Sequence, residues 1–313
     1  MAASAPGLQV IEPGLLTTVQ DLGRRGFEHL GVPRSGAADA RSLALANALI
    51  GNDEGDAALE ATLLGPTLRA TRQITIGLAG ADLAPVAQPG HRRLAVGQAH
   101  RLEPGEVLEC TEAGDEDRGC RLYIAVGGGI DVPTVLGSRS TSLIGSFGGF
   151  EGRPLRTRDL IDARAASAAG GGPPDGRPDR RPGAVAQGSA ASDTPMLVLA
   201  GPAAAEPGGA ERLARFLDVV WTVGIQSDRR GLRLEVGPRS DVELGRLAVA
   251  GDRSSAGVAP GAIQLTPSGQ PIVLMPDAGT TGGYPVIAVV ASADVWRLGQ
   301  LAPGAPARFR LAR

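Results

Sequence analysis

Lysine is absent from this chain; all 31 of its basic residues are arginine. Schiff-base chemistry, with pyridoxal phosphate or a carbonyl substrate, needs a lysine amine and is excluded. So is a phosphate loop of the GxxxxGK type. Covalently attached biotin also requires a lysine amine, so this chain is not a biotin carrier. Aromatic residues make up only 3% of the sequence, which leaves the core to Val, Leu, Ile and Ala and argues against a base-stacking surface. The formal net charge of -2 gives no electrostatic case for a nucleic-acid or membrane partner.

Other absences narrow the chemistry further. The three histidines, His29, His91 and His100, show no metal-ligand spacing and no HExxH, so no metal site is expected. His91 and His100 fall in an Arg-rich hairpin that reads as solvated. Cys110 and Cys120 are the only cysteines; they flank TEAGDEDRG, which reads as a strand-to-strand turn. Their spacing is not that of a zinc knuckle. Two reduced, partly buried thiols are expected, with a disulfide as the alternative. The N-terminal MAASAPGLQV lacks the basic segment and apolar core of a signal peptide. No apolar run reaches the roughly 20 residues that span a bilayer. A soluble, cytoplasmic protein is expected.

What is present is punctuation. Glycine (46) and proline (24) cut the 313 residues into short elements. Strand-like runs recur at 8–11, 73–78, 106–110, 121–126, 196–200, 232–236, 272–275 and 286–291. Leu232, Leu234 and Val236 alternate with Arg233 and Glu235, the pattern of a half-buried antiparallel strand. Helices are expected at 38–50, closed by Gly51, at 211–220, and at 292–300 with Ser292 as cap and Trp296 buried. The fold class is therefore mainly β, in barrels or sandwiches with a few short helices. Residues 165–194 show no apolar periodicity and read as a flexible linker or inserted loop between β-rich portions 7–164 and 195–313.

Polar clusters sit between these runs. GLLTTVQDLGRRG carries Thr17, Gln20, Asp21 and Arg24; Arg24 could grip an anion, or Asp21 could hold it in a structural clasp. GVPRSGAAD carries Ser35, Gly36 and Asp39 just before the first helix, as a turn and N-cap or as an anion site. Glu60 lies in the apolar run AALEATLL and needs a buried partner. LGSRST presents Ser138, Ser140 and Thr141 around Arg139. In the C-terminal portion, SDRRGLRL brings Ser227 and Arg229 into the alternating strand, and Gln270 precedes the richest segment of all, PDAGTTGGYP, which holds Asp277, Thr280, Gly282, Gly283 and Tyr284. The glycine pair could take φ > 0 and, with the threonine hydroxyls, line an anion-binding concavity. Equally, the segment could be a plain hairpin whose Tyr284 plugs a barrel end.

Taken in order, TTVQDLGRRG, GVPRSGAAD, ANALIGND, YIAVGGGIDVP with LGSRST, GGFEGR, SDRRGLRL and GQPIVLMPDAGTTGGYP resemble the biotin-dependent carboxyltransferase family. Its members include the C component of 5-oxoprolinase, also called allophanate hydrolase subunit 2, and the chain is also similar to one half of the carboxyltransferase domain of urea carboxylase. The resemblance implies cyclophilin-like β-barrels and two partner chains, the smaller B component of 5-oxoprolinase and its A component. It also implies opening of the lactam 5-oxoproline to glutamate with ATP and magnesium. Carboxyl transfer to urea or a related amide, or antagonism of a kinase-inhibitor protein, are the other activities it implies. On this reading Arg24 and Arg229 are anion clamps. Thr280 and the Gly282 and Gly283 amides are oxyanion or phosphate donors, and Asp277 is a metal-facing or basic carboxylate. Thr17, Gln20, Asp21, Ser35, Asp39, Ser227, Gln270 and Tyr284 bind substrate or nucleotide. With lysine missing and the histidines badly placed, a partner would supply the general acid or base. Two departures from the family stand out: Asp228 replaces the Asn often found in its S-N-R motif, and the linker is long.

Overall fold

Short elements follow directly from the glycine and proline spacing. The structure is a computed structural model in which residues 7–112, 119–164, 194–237, 243–249 and 254–312 are described. The linker expected at 165–194 lies outside these apart from Thr194, as does most of the expected turn between the cysteines, at 113–118. The chain divides into two compact units: Met1–Arg25 with Ser35–Ser189, and Gly26–Arg34 with Ala190–Arg313. Residues 26–34, part of the N-terminal portion by sequence, thus cluster with the second unit.

Among the described residues the first unit holds eleven strands: β1 (Leu8–Glu12), β2 (Leu16–Gln20), β3 (Ala58–Thr62), β4 (Thr67–Ala70), β5 (Ile74–Gly80), β6 (Val86–Gln88), β7 (Arg92–Arg93), β8 (Gln98–Leu102), β9 (Val107–Glu109), β10 (Arg121–Val126) and β11 (Leu160–Ile161). They form one sheet in the order β11-β1-β4-β9-β6-β7 and another in the order β2-β3-β10-β5-β8. Side chains alternate across a strand. Leu59 and Ala61 of β3 and Leu122, Ile124 and Val126 of β10 therefore join the main core. Ala58, Tyr123 and Ala125 face the other way and pack with Leu43 and Ala46 of helix α1 (Ala40–Leu49). Each leucine so buried contributes roughly 1.5–3 kcal/mol. Gly77 of β5 allows α1 to lie this close, since a Cβ there would collide with the Ala46 carbonyl.

Asp39 caps α1 as expected, accepting from Ser42 N at 3.0 Å, and Gly51 at φ +75° follows its last turn. The Glu60 carboxylate is buried beneath it. Glu60 accepts from the Ala38 amide at 2.9 Å and the Tyr123 hydroxyl at 2.7 Å, with Arg121 Nε at 3.5 Å. Burial, then the charges of Glu60 and Asp39, hold the Tyr123 phenol well above its ordinary range, so it remains a donor.

The second unit contains β12 (Met196–Ala200), β13 (Trp221–Val223), β14 (Gly231–Val236), β15 (Ala256–Gly257), β16 (Ala262–Leu265), β17 (Pro271–Leu274), β18 (Thr281–Gly282), β19 (Val286–Val290), β20 (Pro306–Ala307) and β21 (Phe309–Leu311). Its main sheet runs β20-β13-β14-β17-β16-β19-β12-β21. The two edges, β20 and β21, are successive stretches of the same chain, so the sheet curls back on itself at Arg308, whose carbonyl accepts from Met196 N at 2.8 Å. Helix α2 (Gly209–Leu217) packs Phe216 against Trp221 and Phe309, with ring centroids 5.4 and 5.1 Å apart. Helix α3 (Val295–Leu298) corrects the reading of 292–300. A turn from Ala291 O to Asp294 N comes first, which moves the cap position to Asp294 and leaves Ser292 exposed and Trp296 only half-buried. No helix among the described residues is long and apolar enough to cross a membrane.

The hairpin expected around PDAGTTGGYP is not one. β17 and β19 are separated by β16, and the connector between them instead pairs β18 with β15. Tyr284 is 45% exposed and plugs nothing.

Candidate functional site

In the first unit, the expected site residues are knitted to the LGSRST loop, more than a hundred positions later. The Asp21 carboxylate accepts from Ser138 Oγ (2.7 Å), Ser140 Oγ (2.5 Å), Arg139 N (2.6 Å) and Gly23 N (2.7 Å). Arg24, 1% exposed, donates from Nη2 to the Ser140 carbonyl at 2.5 Å and lies over the Phe147 ring at 4.8 Å. Gln20 Nε2 donates to Thr18 Oγ1 (2.9 Å) and to the Thr141 carbonyl (3.4 Å), and Thr17 Oγ1 donates to the Pro13 carbonyl (2.6 Å). Ser35 is buried at φ +52°, and Gly36, at φ +86°, sits where a Cβ would meet the Gly23 backbone. Ala37 N then donates to the Asp21 carbonyl at 2.9 Å, which ties the cap of α1 to the same network.

In the second unit the expected residues gather around the β17–β19 connector. Asp277 and Arg229 form a buried pair, with Arg229 Nε to Oδ2 at 2.8 Å and Nη2 to Oδ1 at 3.3 Å. Backbone bonds run alongside it, from Asp277 N to the Arg229 carbonyl (2.9 Å) and from Met275 N to the Arg230 carbonyl (3.0 Å). Asp228 Oδ1 accepts from the Arg230 and Gly231 amides at 2.7 and 3.2 Å and so anchors a turn, while Oδ2 pairs with Arg230 Nε at 2.9 Å. Ser227 Oγ accepts from Arg233 N at 3.0 Å, and Gln270 N donates to Thr266 Oγ1 at 3.0 Å in the β16–β17 turn. Gly282 is not in the left-handed region. Its neighbour is the Gln264 side-chain amide, which donates to the Tyr284 carbonyl at 3.2 Å.

This connector also walls a small pocket of about 70 Å³. Thr280, Pro276 and Val258 line it together with Glu28, Pro33 and Arg34. Val258 N donates to the Thr280 carbonyl at 3.0 Å, which fixes two of its walls together. The third wall is the tight turn around Glu28–Leu30, closed by Gly31 at φ +78°. Arg229, Asp277, Gly282, Gly283 and Tyr284 are not among its lining. Arg34 and Glu28 were missed by sequence reasoning. Arg34 stands in GVPRSGAAD, but attention there fell on the turn and cap residues, and only the tertiary fold carries it to this unit. Among the described residues there is no group of three or more His, Cys, Asp or Glu placed to hold a metal ion.

The profile of the carboxyltransferase domain, subdomain A and B, matches residues 30–311. The chain belongs to this family. A member from Escherichia coli (strain K12), the C subunit of 5-oxoprolinase, is 36% identical over 307 residues, covering 96% of this chain and 90% of that protein. Urea amidolyase of Lachancea kluyveri is 32% identical over 326 residues, covering 96% of this chain but only 17% of its own length. The crystal structure of TTHA0988 superposes with a TM-score of 0.78 at 35% identity, covering 98% of this chain and 56% of that one. The carboxyltransferase match spans segments of both units, and the chain corresponds to little more than half of TTHA0988. By their names, these curated relatives are one component of a multi-subunit enzyme and a larger enzyme that contains such a segment.

Proposed function

We propose that this chain is one component of an ATP-dependent 5-oxoprolinase, which opens 5-oxo-L-proline to L-glutamate together with chains resembling the B and A components of that enzyme. The observation that carries this reading is the 36% identity to the C subunit of 5-oxoprolinase, because it extends over 96% of this chain and 90% of that one. A lactam is a weak electrophile, and its opening needs a donor for the developing charge on oxygen. In this proposal Thr280 and the neighbouring connector amides supply such donors, and the Arg229–Asp277 pair holds the connector in place. Arg24 and Asp21 hold the LGSRST loop in the same manner. A pocket of about 70 Å³ is far below the roughly 300–1,000 Å³ of sites for larger ligands, so it is not proposed as the ATP site. The general acid or base comes from a partner chain.

The test is reconstitution: the chain, alone and with partners resembling the B and A components, assayed for ATP-dependent release of glutamate. Turnover that is unchanged when this chain is omitted would overturn the reading. The match to urea amidolyase favours a second one, carboxyl transfer from a partner's carboxybiotin to urea or a related amide. Carboxylation of urea by the assembly, with no glutamate release, would select it.

A further inference from the structure

Arg34 and Glu28 divide the work within the second unit's pocket. Glu28 Oε2 accepts the Gly26 amide at 2.8 Å, and its Oε1 lies 3.6 Å from Arg34 Nε. Hydrogen bonds from its own amide and from that of Gly26, with the Arg34 charge, keep the Glu28 carboxyl below its ordinary range, so it is ionised at neutral pH. A guanidinium presents a flat fork of five N–H donors. The Glu28 contact is made at the Nε position. Both side chains are about one-third exposed, so an incoming group can reach them. Pro33, Val258 and Pro276 supply apolar wall, and Thr280 adds one hydroxyl.

This combination selects by charge and by shape. A planar carboxylate meets the guanidinium fork with two parallel bonds. A phosphate dianion entering beside the Glu28 carboxylate is repelled more strongly than a singly charged group. Gripping such a molecule by its carboxylate leaves the amide bond free for the connector donors and a partner chain. We propose that this pocket recognises the carboxylate end of a small cyclic monocarboxylate, with Arg34 as the residue that binds it and Glu28 as the positioning residue that orients Arg34. Naming 5-oxoproline as that ligand rests on the lactam reading above; the monocarboxylate class does not.

Ligand-observed NMR on the full chain, alone and with its partners, tests the proposal with three probes: 5-oxo-L-proline, cyclopentanecarboxylate, and 2-pyrrolidone, which has the lactam but no carboxylate. Both carboxylates are expected to bind at least about tenfold more tightly than 2-pyrrolidone, and Arg34→Gln to remove that preference. Inorganic phosphate should compete poorly. In the reconstituted enzyme Arg34→Gln should raise KM for 5-oxoproline about tenfold with kcat little changed, and Glu28→Gln should raise it less. A thermal melt of each variant controls for folding. Unchanged KM in an active Arg34→Gln assembly overturns the pocket and leaves the lactam reading intact. Arg34-dependent carboxylate binding without any lactam turnover does the reverse. Equal binding of 2-pyrrolidone, or phosphate competing as well as carboxylate, overturns the assigned class.

Discussion

Arg229 and Asp277, 48 positions apart in sequence, bury their opposite charges against each other at 2.8 Å, each side chain only 2% exposed. This pair joins the loop before β14 to the connector after β17, and so sets the position of the pocket wall. Removing one partner strands a buried charge, which typically costs about 3–5 kcal/mol. Arg229→Met and Asp277→Leu are each expected to lower the urea-unfolding free energy by about that amount. The double variant should be less destabilised than the sum of the two, because it leaves no lone charge behind. Additive losses in the double-mutant cycle would show that the two do not act as a pair.

Asp21 holds the LGSRST loop through one carboxylate serving two hydroxyls and two amides. Asp21→Ala leaves those donors without their acceptor, an expected loss of about 3 kcal/mol, whereas Asp21→Asn keeps one oxygen and should lose less. Hydrogen exchange provides the local readout. The Arg139 amide should lose protection in the alanine variant while the amides of β5 retain theirs. Uniform loss across the unit would point to global destabilisation instead.

The two thiols are expected to be silent. Burial pushes Cys110 up to about 12 and raises Cys120 as well, the latter against the opposing pull of Arg121. Both thiols are reduced and buried, so the thiolate that reacts is scarce and shielded. At about pH 8 a thiol reagent should modify neither cysteine in the native chain and both in guanidinium chloride. Rapid labelling of one thiol under native conditions would contradict the packing around it.

Asp159 provides an acid-sensitive tie. Burial raises its carboxyl, but the Arg153 hydrogen bonds at 2.7 and 3.0 Å and the Arg156 amide outweigh burial, and the net position is below the ordinary 3.8. A carboxyl depressed in the folded state adds stability above its unfolded value, and that stability is lost as pH falls through the folded value. Unfolding free energy should therefore fall below about pH 4 more steeply in the native sequence than in Asp159→Asn. Parallel pH profiles for the two would rule this out.

Much of the β-rich character was open to reading. The runs 121–126 and 196–200 coincide with β10 and β12, and the cap and closing glycine of α1 stand where turn chemistry puts them. β2 escaped because LTTVQ looks like a polar loop: its threonines and glutamine are buried, and Gln20 Nε2 donates to a carbonyl as distant as that of Thr141. The hairpin alternative for the β17–β19 connector could not be set aside from sequence, because two apolar runs joined by glycines look alike whether their strands pair directly or admit β16 between them.

Local rules thus determined the cap and closing glycine of α1, the alternation of strands and the chemistries that a lysine-free chain cannot perform, since each depends on neighbours within a few residues. Tertiary structure alone decided that Arg34 belongs beside Thr280, that Asp21 serves residues 117 to 119 positions away, and that Arg229 finds Asp277. Such encounters depend on strand order and loop closure, and buried charges select their partners only when the fold has removed water from around them.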